Sequence, residues 1–194
     1  KMDRPEWCAV SPTTGEIYLT LTNNSGRGQG SNPGVDAPNP RNYTDTRGAS
    51  TLRGNVNGHI LRMKEDGDEN AATSFKWDIY LFGAQSDADS ATVNVSGLTA
   101  DNDFSSPDGL WFDRRGVLWI QTDDGAYVDQ TNCMMLAALP GQLGDGTITT
   151  IGSQATIKGA PANNDNLRRF LVGPKDCEIT GIDITPDGKT MFVN

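Results

Sequence analysis

The chain has 194 residues, with 22 glycines, 10 prolines and 36% hydrophobic residues. That is enough apolar material for a core, with Pro and Gly well above average and long polar stretches left for the outside. Its formal net charge is −9, from 16 basic and 25 acidic residues, and no Lys/Arg cluster interrupts it. This balance speaks against nucleic acid and anionic membranes as partners and is compatible with cation binding. No apolar run approaches the roughly 18 residues of a membrane span.

The first element is a hairpin. Glu6-Trp7-Cys8-Ala9-Val10 and Ile17-Tyr18-Leu19-Thr20-Leu21-Thr22-Asn23 flank the turn Pro12-Thr13-Thr14-Gly15. Residues 25–57 follow, rich in Gly, Asn, Pro, Arg and Ser, and are expected to be a long loop insertion. Strands are then expected at His59–Met63 and Phe75–Phe82, the latter alternating Phe75, Trp77, Ile79 and Leu81 as a half-buried antiparallel strand does. After the excursion 84–107 comes a second hairpin, Asp108-Gly109-Leu110-Trp111-Phe112, turn Asp113–Gly116, and Leu118–Asp123. Further strands are expected at Met134–Ala138, Thr147–Ile151 and Leu167–Leu171, with an excursion at 153–166 between the last two. A third hairpin closes the chain: Glu178–Ile184, turn Thr185-Pro186-Asp187-Gly188, and Met191–Asn194. No window carries a capped helical period.

The prediction is an all-β fold, and the three hairpins share one layout. An acidic residue opens an apolar strand, a Gly turn follows, and the return strand ends in Asn or Asp. Repeated hairpins with long insertions between them suit a β-propeller. Two to three blades fit in this length, an incomplete ring, since propellers use about 4–8. Residues 1–194 are therefore expected to be a partial propeller, the C-terminal portion of a longer chain whose missing N-terminal blades would be its partner.

Aligned on Val10, Phe112 and Ile184, Glu6 and Asp108 lie four residues earlier and Glu178 six earlier. Even offsets put all three carboxylates on one strand face, at one rim of a central channel. Three carboxylates gathered there repel one another, take up protons or bind a metal, and oxygen donors favour Ca²⁺, Mg²⁺, Mn²⁺ or oxidised iron. Acidic residues that merely flank strands are the plainer alternative. Arg4, two residues before Glu6, is placed to bind a phosphate bidentately or to form a surface salt bridge. Asn23, Asn24, Asp123, Asp124 and Asn194 either supply further oxygen ligands or simply end strands.

Other candidates carry less. His59 is the only histidine, which weakens every His-dependent mechanism and makes a packed structural role the simpler one. Asp66-Gly67-Asp68-Glu69 lacks the spacing of a calcium loop. Asn23, Asn42 and Asn94 head formal glycosylation sequons. Cys8, Cys133 and Cys177 show no metal or disulfide spacing and are expected to be buried thiols.

Arg4-Pro5-Glu6-Trp7, Thr20-Leu21-Thr22-Asn23-Asn24, Asn57-Gly58-His59-Ile60-Leu61-Arg62, Ser106-Pro107-Asp108-Gly109-Leu110, Leu167–Pro174 and Glu178-Ile179-Thr180-Gly181 together resemble the PhoX-type bacterial alkaline phosphatases. The resemblance implies a propeller enzyme exported by the twin-arginine route, periplasmic or extracellular, that hydrolyses phosphate monoesters on an iron and calcium cluster in its channel. It implies that Glu6, Asp108 and Glu178 are metal ligands and that Arg4 is the catalytic, substrate-binding arginine. The family's iron-bridging cysteine belongs to upstream sequence, so none of the three cysteines takes that role. The 194 residues by themselves are expected to be inactive or nearly so. Pro107 to Trp119 also resembles lactonase-type propellers, which hold one calcium. That leaves a calcium-dependent lactonase-like hydrolase, or a non-catalytic calcium-stabilised propeller, as alternatives.

Overall fold

A computed structural model describes residues 1–47, 50–123 and 132–194. In chain order its strands are β1 (Pro5–Val10), β2 (Ile17–Leu21), β3 (Tyr43–Arg47), β4 (Ser50–Gly54), β5 (His59–Glu65), β6 (Phe75–Phe82) and β7 (Pro107–Phe112). Then come β8 (Leu118–Thr122), β9 (Met134–Ala138), β10 (Thr147–Ile151), β11 (Gln154–Lys158), β12 (Leu167–Val172), β13 (Ile182–Ile184) and β14 (Met191–Val193). Apart from a single 3₁₀ turn at Asp66–Asp68, no helix occurs among the described residues. The all-β expectation holds.

Two antiparallel four-stranded meanders carry the architecture. The first runs β1-β2-β5-β6 and is extended by β11 and β10, with β11 parallel to β6; the second runs β7-β8-β9-β12. The hairpin β13-β14 forms a separate two-stranded sheet, as does β3-β4. Alternation along the strands splits the apolar residues into three layers. Tyr18, Ile60, Leu81, Leu110, Ile120 and Leu136 pack between the two large sheets. Leu21, Leu61, Ile79, Phe82 and Ile151 form a second cluster, with Leu19, Met63 and Trp77 partly buried against it. Trp119, Met135 and Ile179 form a third, against which Ile182, Ile184 and Met191 of the last hairpin pack.

Residues 25–57 are more than a loop. They contain β3-β4, and two fully buried arginines pin them down. Arg41 donates from Nε to Asn55 Oδ1 (3.0 Å), from Nη1 to Gly83 O and Val93 O (both 2.8 Å), and from Nη2 to Gly58 O, while its guanidinium lies 4.8 Å from the Phe82 ring centroid. The composition suggested a polar excursion because Arg, Asn and Gly are usually exposed; here they saturate buried backbone carbonyls instead. Gly58 has φ +65°, and a Cβ there would stand 2.0 Å from Thr22 O, so only glycine allows this approach. The 153–166 segment likewise supplies β11.

His59 is structural, as expected. It is fully buried, Nδ1 accepts from Asn55 Nδ2 (2.8 Å), and Nε2–H donates to Pro38 O (2.8 Å). A neutral ring satisfies both contacts; a protonated one would turn a donor toward the Asn55 amide. Burial first, then the charge of Arg41, push its pKa down to about 4. Among the cysteines, Cys133 is buried and Cys177 half-buried, whereas Cys8, on the edge strand β1, is exposed, contrary to expectation.

The two sheets meet where β1 lies beside β7. Thr20 Oγ1 accepts the Trp7 N–H (2.9 Å) and donates to Asp108 O (2.8 Å). Thr22 Oγ1 donates to Pro107 O (3.0 Å). Both threonines are fully buried.

Two tests follow from this packing. Thr20→Val keeps the shape but leaves a part-buried N–H and carbonyl without their partner, so denaturant unfolding should show a loss of about 0.5–1.5 kcal/mol; an unchanged midpoint would refute the bridging role. For His59, the unfolded state binds its proton near pH 6.5 and the folded state only near 4. Stability is thus fully present above 6.5 and is lost as pH falls through that window. Melting curves between pH 7 and 4 should show this decline, and His59→Gln should flatten it.

Candidate metal centre

Arg4 stands at the entrance to β1 and directs two hydrogen bonds across the strand ends. Nε donates to Glu6 Oε1 and Nη2 to Asp123 Oδ2, each at 2.8 Å. The Glu6 bond is the largest influence raising the arginine's pKa above its ordinary value, with Asp123 adding to it against a partial burial cost. The guanidinium is half exposed, so the fork faces solvent.

Asp108, half-buried at the start of β7, is the electrostatic centre of the group. Burial raises its pKa first, the charges of Glu6, Asp123 and Glu178 raise it further, and Arg4 lowers it; the net result is about 6. Asp108 therefore lies within the field of both other acidic residues singled out in the sequence, Glu6 and Glu178, and Asp123 joins them. Among the described residues, however, no three His, Cys, Asp or Glu side chains close into a metal-coordinating group. The donor set is purely oxygen, which suits hard cations.

Plain strand alternation does not put Glu6, Asp108 and Glu178 on one face. Strand register slips between Pro5 and Cys8 in β1 and between Pro107 and Leu110 in β7. Both slips are bulges placed at the acidic residue, so simple alternation does not connect Glu6 to Val10 or Asp108 to Phe112. Glu178 lies outside any strand, in the segment before β13. What aims the carboxylates is a repeated rim geometry. Arg4 (φ +49°) precedes Pro5-Glu6, and Ser106 (φ +52°) precedes Pro107-Asp108. A left-handed non-glycine residue costs on the order of 1–3 kcal/mol and persists only where its surroundings hold it. Gly109 completes the second copy: a Cβ there would stand 2.1 Å from Gln121 Oε1.

The other candidates separate. Asp123 is in the group, where the sequence left it open between ligand and strand end. Asn24 faces the other way, donating to Asp3 Oδ1 (2.7 Å) and accepting the Gly26 N–H (3.0 Å). Asn194 caps the last hairpin through its backbone, bonding Thr180 and Gly181. Asp124 lies outside the described residues. The sequence missed Thr20, Thr22 and Ser106 as positioning groups; the X-Pro-acid repeat was the available signal.

Holding Asp108 charged among these neighbours costs stability. Between about pH 4 and 6 the folded state keeps a proton that the unfolded state has released, so stability falls as pH rises through that window. Asp108→Asn should raise the melting temperature above pH 6 and leave it unchanged near pH 4. An equal shift at both pH values would contradict this field.

A family model described as alkaline phosphatase PhoX matches residues 1–194. No curated protein matches the chain. A solved structure, Pseudomonas fluorescens PhoX in complex with vanadate, a transition state analogue, is 38% identical with a TM-score of 0.74, over 100% of this chain and 29% of its own. The chain thus spans under a third of that protein's length. It belongs to the PhoX alkaline phosphatase family.

Proposed function

We propose that this chain is the C-terminal portion of a metal-dependent phosphomonoesterase. Glu6, Asp108 and Glu178 would hold metal and Arg4 would grip the phosphate. The observation that carries this reading is the gathering of Glu6, Asp123 and Glu178 around Asp108, with the Arg4 fork beside them. Vanadate on the P. fluorescens relative is a chemical mimic of five-coordinate phosphorus, which supports phosphoryl transfer as the reaction.

The antiparallel meanders, with first strands side by side and a third hairpin packed on the second sheet, support a β-propeller with this chain as two blades and the start of a third. The rest of the ring would come from upstream sequence. So would further ligands; among the described residues the oxygen set does not close by itself. Calcium and iron fit these donors. The family's members are exported, and the same periplasmic or extracellular place is proposed here. No helix among the described residues is long and apolar enough to cross a membrane.

Bound metals would neutralise the phosphate's charge and polarise the P–O bonds. The chain's own residues do the rest. Arg4 has five N–H donors, two of them on Glu6 and Asp123, which leaves three for non-bridging oxygens. Glu6 and Asp123 orient the fork, and the β1 and β7 bulges fix the carboxylates that surround it. One arginine among four carboxylates is net negative, so it is the charge of bound cations that would turn the site, and the −9 of the chain, toward an anionic substrate.

Purified full-length protein should contain iron and calcium by elemental analysis and hydrolyse p-nitrophenyl phosphate, with loss of activity on calcium chelation. Glu6→Gln, Asp108→Asn and Glu178→Gln should each lower turnover at least about a hundredfold, as loss of a group stabilising transition-state charge does, without unfolding the protein. A colourless, calcium-only protein that opens lactones and leaves the phosphate ester intact would refute the proposal.

A further inference from the structure

The residue before Arg4 is a buried carboxylate with no place in the reaction just proposed. Asp3 is fully buried, and so is its ion-pair partner Arg27, which comes from the 25–57 insertion. Asp3 Oδ1 accepts from Arg27 Nε (2.6 Å) and from Asn24 Nδ2 (2.7 Å). Asp3 Oδ2 accepts from Asn55 Nδ2 (3.0 Å), and the Asp3 N–H donates to Asn39 Oδ1 (3.0 Å). Every one of these partners lies in, or at the threshold of, the insertion. Arg27 is itself tied on its far side, Nη1 donating to Gly34 O (2.6 Å) and Nη2 to Lys1 O.

The consequence falls on Arg4. Its backbone is left-handed, a conformation a non-glycine residue does not hold unaided. Its carbonyl accepts the Thr22 N–H (3.0 Å), and its side chain is half exposed and bonded only at the tip. The anchor on its other side is Asp3, gripped from several directions at once. A buried, fully hydrogen-bonded ion pair of this kind fixes geometry well, because neither partner can move without leaving a charge unsatisfied.

We propose that Asp3 and Arg27 are positioning residues for the phosphate-binding arginine. The 25–57 insertion is thus a brace that holds the Arg4 backbone in its strained form and aims the guanidinium over the site. This rests on the phosphate-gripping reading of Arg4 given above, and it assigns the insertion a role in substrate affinity.

The test uses full-length enzyme with its metals and p-nitrophenyl phosphate. Asp3→Asn, which keeps the shape and removes the charge, should raise KM by about tenfold or more and weaken vanadate inhibition by a similar factor. kcat should stay within about threefold and metal content should not change, because binding rather than the metal centre is affected. Arg27→Lys, which keeps the charge and loses the fork, should do the same, and it carries the test if Asp3→Asn does not accumulate. Arg4→Ala should raise KM at least as far, and adding Asp3→Asn to it should change KM by less than about twofold. Wild-type KM in Asp3→Asn and Arg27→Lys, or full additivity with Arg4→Ala, would overturn the brace while leaving the role of Arg4 intact. Wild-type KM in Arg4→Ala would instead remove the premise, and the brace with it.

Discussion

The contact between β1 and β7 is the constraint from which the site follows. Two buried hydroxyls, Thr20 and Thr22, reach across it to the carbonyls of Asp108 and Pro107. They stand at the end of β2, which pairs with the start of β1, and so hold that start against the start of β7. Glu6 and Asp108 open those strands, so locking the strand ends together brings their charges together. The cost is visible in Asp108, whose acidity is weakened by burial and by its neighbours. A fold selected for stability alone would not place a fourth carboxylate, Asp123, at the same spot; an arginine and hard cations are what such a cluster can accommodate.

Two levels of support hold this rim. Nearest the site are the paired bulges and the left-handed residues Arg4 and Ser106, each followed by Pro and an acid. Behind them lies the insertion, which delivers Arg27 and Arg41 into the interior and ties Asp3, Asn55, Gly58 and His59 into one hydrogen-bonded body. The bulges aim side chains, and the insertion holds the backbone that carries them.

Much of the architecture was legible in the sequence because its signals were local. Alternation at Phe75–Phe82, the Gly turns, and the short runs at Met134–Ala138 and Thr147–Ile151 all correspond to observed strands. Hidden were features that depend on long-range partners. Strands β3, β4 and β11 lack apolar alternation, and buried arginines give no compositional sign of burial. Glu178 was singled out by an invalid route, since it sits outside the strand that was meant to orient it. Glu6 and Asp108 were likewise singled out by spacing, although bulges break the alternation that was invoked. Asp123 stayed open between ligand and strand end, because its pairing with Arg4 spans more than half the chain.

The central claim is that Glu6, Asp108 and Glu178 share cations at the rim where the first strands of the two sheets meet. Anomalous diffraction from crystals of the full-length protein, recorded across the iron edge and at a wavelength sensitive to calcium, tests it most directly. The account predicts metal peaks within about 2.0–2.6 Å of oxygens from these three side chains, with the Arg4 guanidinium facing the same cluster. Metal peaks bound elsewhere, with these carboxylates in contact only with protein and water, would contradict it.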